Sequence, residues 1–239
     1  LDGYADTDEL DVDVDGGRFA NTGLFEGLLD MHITDGQALL GVDDSVMGLG
    51  DGSVLTVEGD EAKVGFDGEA GGTSTLRMEY GSKLAMAADD TGFSTIEEFR
   101  SGHFDTTNDE PDVLSAFDMG GGTLLIDITN LADKGPQEHV LVDTDQVEGM
   151  FDDVEFVGLG SGMDATLTVD YDNDKVTVSL GAGDGNVRVE TIGEMINAMD
   201  DMEIVEALTE DQTALEDSEI PADTSNPASS EDEEPLAAA

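Results

Sequence analysis

The run Gly48-Leu49-Gly50-Asp51-Gly52 returns as Gly158-Leu159-Gly160-Ser161-Gly162, an offset of 110 residues. A repeat of that length restricts the chain to folds that one unit can build twice. The same offset pairs Thr34-Asp35 with Thr144-Asp145, and Asp43 with Asp153. After a two-residue insertion, Leu55-Thr56-Val57-Glu58 aligns with Leu167-Thr168-Val169-Asp170, and Lys63-Val64 with Lys175-Val176. A one-residue adjustment then brings Arg77 to Arg188 and Glu79 to Glu190. Glycine and aspartate matches come easily in this composition. Matches among only 8 Lys and Arg residues do not.

Each copy reads alike. An extended segment (28–33; 139–143) leads into one whose apolar residues fall near helical spacing (36–47; 146–157). These are Leu39, Val42 and Val46 in the first copy, and Val147, Met150, Phe151 and Val154 in the second. Three strands follow. In the second copy Ala165, Leu167 and Val169, then Val176, Val178 and Leu180, then Val187 and Val189 alternate with polar residues. Turns at Asp172-Asn173-Asp174 and at 181–185 join them. A short helix closes each copy (82–89; 194–200). The period of two predicts that Leu55, Val57, Val64 and Phe66, and likewise Leu167, Val169, Val176 and Val178, face one core. The expected fold class is α+β and β-rich: duplicated units of a strand, a helix and three antiparallel strands, with few short helices. The expected domains are a first repeat over 1–110 and a second over 111–201. A candidate helix over 202–216 follows, with Ile204, Leu208 and Leu215 on one side, and then a disordered acidic tail over 217–239. Residues 202–239 hold 12 acidic residues and no basic one, which is why the tail is not assigned to a core.

Charge sets the solvent. There are 58 Asp and Glu against 8 Lys and Arg, a formal net charge of −50. Such a chain repels itself in dilute buffer. Wholesale disorder is excluded, because apolar residues make up 38% and fall in periodic segments. Multimolar salt shrinks the Debye length to about 3 Å or less, where carboxylates hydrate the surface and their repulsion is muted. The acids are spread along the whole chain, so adaptation to high salt, with K+ or Na+ as solvent partner, is expected.

Several classes of chemistry are excluded. No cysteine is present, which removes disulfides, thiolate nucleophiles and Cys-ligated zinc. No apolar run approaches the roughly 20 residues of a membrane span. No signal-peptide pattern opens the chain, which points to the cytoplasm of a halophile, with a virion as the alternative. A first residue of Leu rather than Met leaves N-terminal processing and a longer parent chain both open. Asp11-Val12-Asp13-Val14-Asp15-Gly16 matches the opening of an EF-hand loop, but Thr22 stands where a bidentate Glu belongs. Leu10, Val12 and Val14 alternate there as in a strand. Asp170-x-Asp172-x-Asp174 reads as a hairpin turn, with Lys175 at the glycine position. Gly48–Gly52 and Gly158–Gly162 follow expected helices, so they read as C-caps rather than phosphate loops. His32, His103 and His139 share no metal-ligand spacing, and no G-x-S-x-G occurs. No catalytic, cofactor or metal site is expected, and the chain is read as non-enzymatic.

The run 140–156, VLVDTDQVEGMFDDVEF, is similar to a strand leading into the DNA-facing helix of a PCNA-type sliding clamp. The run 165–181, ATLTVDYDNDKVTVSLG, resembles the hairpin that follows it. The resemblance covers about half the chain, is closest over 141–192, and agrees with the repeat offset. It implies a ring-forming processivity factor whose partners are DNA and replication proteins. Lys63, Arg77, Lys83, Lys175 and Arg188 are then candidate anion- or DNA-facing residues. Local cross-strand ion pairs are the competing account of them. Two features depart from a clamp. Segments 36–47 and 146–157 carry no Lys or Arg to meet phosphates. The acidic tail closes with Glu234-Pro235-Leu236-Ala237 and two further alanines, without an aromatic-rich ending. The alternative function is a capsid, tail or surface structural subunit of a halophilic virus or archaeon, which suits β-rich domains. Self-association, as a ring or a lattice, is expected on either account.

Overall fold

The computed structural model describes residues 10–42, 44–67, 73–99, 114–132 and 135–194. Among these, every regular element is a β-strand, and for fifteen strands the chain repeats one path of three strands per coil. The first coil holds β1 (Leu10–Val14), β2 (Gly17–Ala20) and β3 (Leu24–Gly27). The second holds β4 (Leu29–Ile33), β5 (Gly36–Val42) and β6 (Val46–Leu49), and the third β7 (Val54–Glu58), β8 (Lys63–Asp67) and β9 (Thr73–Met78). The fourth holds β10 (Lys83–Ala87), β11 (Ile96–Phe99) and β12 (Leu114–Asp118). The fifth holds β13 (Thr123–Asp127), β14 (Gln137–Asp143) and β15 (Gln146–Glu148). Within a coil no strand pairs with the next. From β1 to β13 each pairs in parallel with the strand three places on, as β4 does with β7 and β7 with β10. The result is a parallel β-solenoid.

Three sheets form its walls. One runs β1-β4-β7-β10-β13 and ends on β16 (Asp153–Val157). A second runs β3-β6-β9-β12-β15. The third runs β2-β5-β8-β11-β14 and continues through three further strands, β18 (Lys175–Ala182), β17 (Met163–Asp170) and β19 (Val187–Ile192). There β18 pairs antiparallel with both β14 and β17, and β19 lies parallel to β17.

The core follows from stacking the period of two. In the six-stranded sheet the register aligns Val12, Met31, Leu55, Leu84, Leu124 and Val154 in one column. Val14, Ile33, Val57, Met86, Ile126 and Phe156 form the next. In the five-stranded sheet Phe25, Met47, Leu76, Phe117 and Val147 align likewise, all buried. Each such side chain contributes roughly 1.5–3 kcal/mol when fully buried. Where coils turn, freed backbone groups are met by small polar residues. Buried Asn21 donates from Nδ2 to the carbonyls of Leu40 (3.2 Å) and Val46 (3.1 Å). Buried Ser53 accepts from Leu29 N–H and donates to Gly27 C=O, both at 3.0 Å. This satisfies groups that would cost about 1–3 kcal/mol each if left unpaired. Gly36, at φ 89°, lies against the corner of the coil above, where a Cβ would collide with the Gly17 carbonyl.

This corrects the expected α+β class. The helix expected over 36–47 is β5 and β6, that over 146–157 is β15 and β16, and that over 82–89 is β10. The spacing misled because two strands separated by a corner put apolar residues three and four apart. Leu39 and Val42 lie on β5, and Val46 opens β6. A bulge between Leu39 and Gly41 adds to this by burying Ala38, Leu39 and Leu40 in succession. The duplicated unit is corrected as well. β7, β8 and β9 belong to three different sheets, whereas their sequence counterparts β17, β18 and β19 are neighbours in one. The three strands of the second copy are not all antiparallel, because β19 crosses to the far edge of β17. Gly48 and Gly158 terminate no helix: Gly48 lies within β6, and Gly158, at φ 81°, follows β16.

The alternation itself holds. Leu55, Val57, Val64, Phe66, Leu167, Val169, Val176 and Val178 are all buried in one core cluster. Asp11–Asp13 lie within β1 as the alternation predicts, and 171–174 form the turn between antiparallel β17 and β18. Ladders cross residue 110, since β9 pairs with β12 and β10 with β13. Residues 195–200 of the last expected repeat helix, the helix over 202–216 and the tail over 217–239 lie outside the described residues. Among the described residues no helix is long and apolar enough to cross a membrane.

Candidate assembly surface

The five basic candidates are distributed over all three sheets, each near a carboxylate. Arg77, on β9, stands opposite Asp118 in the β9–β12 ladder, with Nε 3.5 Å from Oδ2. Lys83, on β10, reaches Glu155 on β16 at 3.0 Å. Lys175, on β18, stands between Asp143 and Asp170 in its two ladders and pairs with Asp143 at 2.8 Å. Lys63, on β8, lies close enough to Glu97 to pull its pKa down. Desolvation and the Asp143 carboxylate outweigh that pull and hold Glu97 above its ordinary value. Arg188, on β19, lies near Asp164. Asp164 is held low chiefly by the backbone N–H of Asn186, with Asp184 N–H and Arg188 adding to it against desolvation. These exposed pairs are worth little individually.

Titratable groups elsewhere serve the coil corners. Asp89 accepts from Thr91 Oγ1 and N–H at 2.7 Å each, from Gly92 N–H at 2.9 Å and from Asp60 N–H at 3.2 Å. Desolvation opposes these bonds, but together they hold its carboxyl far below the usual range. It thereby joins corners of two successive coils. His139 packs edge-on against Phe93, with ring centroids 5.2 Å apart, and burial pushes its pKa down. Its Nε2 is buried without a hydrogen-bond partner. His32 pairs with Glu58 at 3.1 Å on the surface. Among the described residues no three His, Asp or Glu side chains are placed to hold a metal ion.

The C-terminal end of the stack is different in kind. The eight-stranded sheet carries three strands past the last coil, β18, β17 and β19; the apolar faces of β18 and β17 are buried in the core, and β19 is exposed along its whole length. Its inner columns run His139–Val178–Leu167–Val189 and Gln137–Leu180–Ala165–Val187. Leu167 and Val178 are fully buried, whereas Val187 and Val189 are 43% and 46% exposed. A cavity of about 260 Å3 opens there between Met150, Phe151 and Val154 on one side and Val169 and Val189 on the other. Among the described residues, five of the seven exposed large hydrophobic residues (Met150, Val157, Val187, Val189 and Ile192) fall between residues 150 and 192, so exposed apolar side chains gather at this end. Sequence reasoning read Val187 and Val189 as one face of an alternating strand, and alternation with Arg188 and Glu190 does not tell a covered strand from an open edge. Set against family models, curated proteins and solved structures, the chain matches none.

Proposed function

We propose that the chain is a non-enzymatic structural subunit that assembles in concentrated salt, as a capsid, tail or surface component does. The observation that carries this is the end strand of the eight-stranded sheet: on a chain of net charge −50, Val187 and Val189 of β19 stay exposed beside an apolar cavity. Apolar groups gathered on one region of a soluble chain favour contact with another macromolecule. Stacked parallel ladders also make a stiff scaffold, because each coil rests on its neighbours. The sliding-clamp account has lost the unit that suggested it. Its two DNA-facing helices are strands β5–β6 and β15–β16, and the basic candidates are divided among three sheets. Electron microscopy of the purified chain in about 3 M KCl, where the Debye length is below about 3 Å, tests the proposal. Ordered oligomers, tubes or lattices are expected. A monodisperse monomer at every salt concentration refutes it.

A further inference from the structure

The partner of the open end can be read from the backbone of β19. This strand terminates the eight-stranded sheet, and all six of its residues are exposed. Asn186 and Ile192 turn their carbonyls toward β17, accepting from Ala165 and Tyr171 N–H at 2.9 Å each. By the period of two, residues 188 and 190 also face β17. The N–H and C=O groups of Val187, Val189 and Thr191 therefore point out of the sheet edge. Among the described residues no strand pairs with that edge. The β17–β19 register runs without a shift over six pairs, and β19 contains no proline. An edge this regular lacks the bulges and prolines that keep strands from joining other chains.

We propose that a second copy of this chain occupies the edge, β19 antiparallel to β19, about a two-fold axis at Val189. The inference rests on the assembly reading and names one of its contacts. An isologous antiparallel pairing must place some residue opposite itself, and the charges choose which. An axis at residue 188 sets Arg against Arg, and one at 190 sets Glu against Glu. An axis at 187 puts Glu190 opposite Asp184; one at 191 puts Glu190 opposite Ile192 and leaves Arg188 facing Glu194, which lies past the end of β19 beyond Gly193 at φ 81°. An axis at Val189 puts Arg188 opposite Glu190 of the second copy, twice, and Val187 opposite Thr191. Opposite charges directly across an antiparallel pair are favourable and like charges are not. The backbone agrees with this choice. Val189 has its N–H and C=O facing out, so two copies exchange both hydrogen bonds there, and Arg188 and Glu190 fall on the closer, non-hydrogen-bonded pairs. The pairing also covers Val187 and Val189, the last members of two inner columns. Two chains of −50 approach only where salt screens them, so the contact belongs to concentrated salt.

The absence of cysteine makes the register directly testable. Paired residues at such a position have Cα atoms about 5.5 Å apart, within the reach of a disulfide. In about 3 M KCl, a salt that leaves little repulsion, Val189→Cys alone should give a covalent dimer on mild oxidation. Val187→Cys and Thr191→Cys should each stay uncross-linked alone and form a dimer when mixed. Val189→Pro removes a donor that the β17 ladder does not use, and proline is tolerated at such an edge. It should abolish the dimer in sedimentation while keeping the parent circular-dichroism spectrum and Tm. Ordered assemblies without the Val189→Cys cross-link overturn this contact and leave the assembly reading standing. A monomer at every salt concentration overturns both. β19 amides protected from exchange in that monomer would mean that another part of the same chain covers the edge.

Discussion

Leu124 and Leu125 are adjacent on β13 and differ only in the face they occupy, so truncating each in turn measures the register. Leu124 is 1% exposed and stacks between Leu84 and Val154 in an inner column. Leu125 is half-buried and lies between Ala85 and Glu155 in an outer one. Leu124→Ala removes three carbons, about 2.4 kcal/mol at roughly 0.8 kcal/mol for each. The coils above and below hold the backbone apart, so the site collapses poorly and a cavity cost adds to this. A total of about 3–4 kcal/mol is expected, inside the usual range for buried leucines. Leu125→Ala opens no cavity and should cost about 1 kcal/mol or less. Urea unfolding in about 3 M KCl, where the native chain is screened, gives both values if the m-values agree. Equal losses at the two positions would mean that the register is not as described, because a one-residue slip exchanges the two faces.

Four other measurements follow from the surface and the corners. Asp89→Asn should destabilise the chain by about 1–2 kcal/mol at neutral pH by weakening charge-assisted bonds. Because the Asp89 pKa is held below its unfolded value, its stabilisation is full above about pH 4 and is lost as pH falls through the folded pKa. The variant should therefore show a shallower acid limb. Glu97 is shifted the other way, so its charge costs stability above its folded pKa, and Glu97→Gln should raise Tm at pH 7 by an amount that shrinks on acidification. His139 is held neutral by burial, so the unfolded chain takes up its proton first and stability falls as pH drops below about 6.5. His139→Phe should remove that part of the slope, and an unchanged slope assigns it to other groups. Dialysis from about 3 M to about 0.1 M KCl should abolish the β signal in circular dichroism, and an unchanged spectrum and Tm contradict the salt dependence.

What was legible in the sequence was local. Alternation identified β17, β18 and β19, and the side chains of β7, β8, β17 and β18 that enter the core, because the period of two is a property of each strand alone. Pairing is not local. In the second copy a four-residue turn joins β17 to β18, and the hairpin expected there is present. In the first copy the similar string Leu55–Val64 turns a coil corner, and its strands pair with others 24 to 32 residues away, such as Asp30 with Val54 and Ile96 with Val64. Coil advance also changes along the stack. Leu10 pairs with Leu29 and Lys83 with Thr123, advances of 19 and 40 residues, so no single short period marks the solenoid. The open end was illegible for a related reason. A valine in an alternating strand reads as core, and only the count of strands in each sheet shows that β19 has outrun its cover.

The stack also accounts for how so acidic a chain spends its few positive charges. Parallel neighbours lie about 4.8 Å apart, and in-register side chains on the same face share that spacing. The ladders therefore set Asp11 beside Asp30, Asp118 beside Glu148 and Glu97 beside Asp143. Each like-charge pair costs just under 1 kcal/mol in unscreened water and a small fraction of that in multimolar salt. Arg77 is placed against the second of these pairs, beside Asp118, and Lys175 against the third, beside Asp143. The matching positions of Lys63 and Lys175 in sequence thus correspond to a shared task on one sheet, each beside a carboxylate of a crowded column. Arg188 differs. Its ladder neighbour on β17 is Thr166, and on its other side the described sheet ends. Its nearby carboxylate is Asp164, and the second copy proposed at this edge would set Glu190 opposite Arg188.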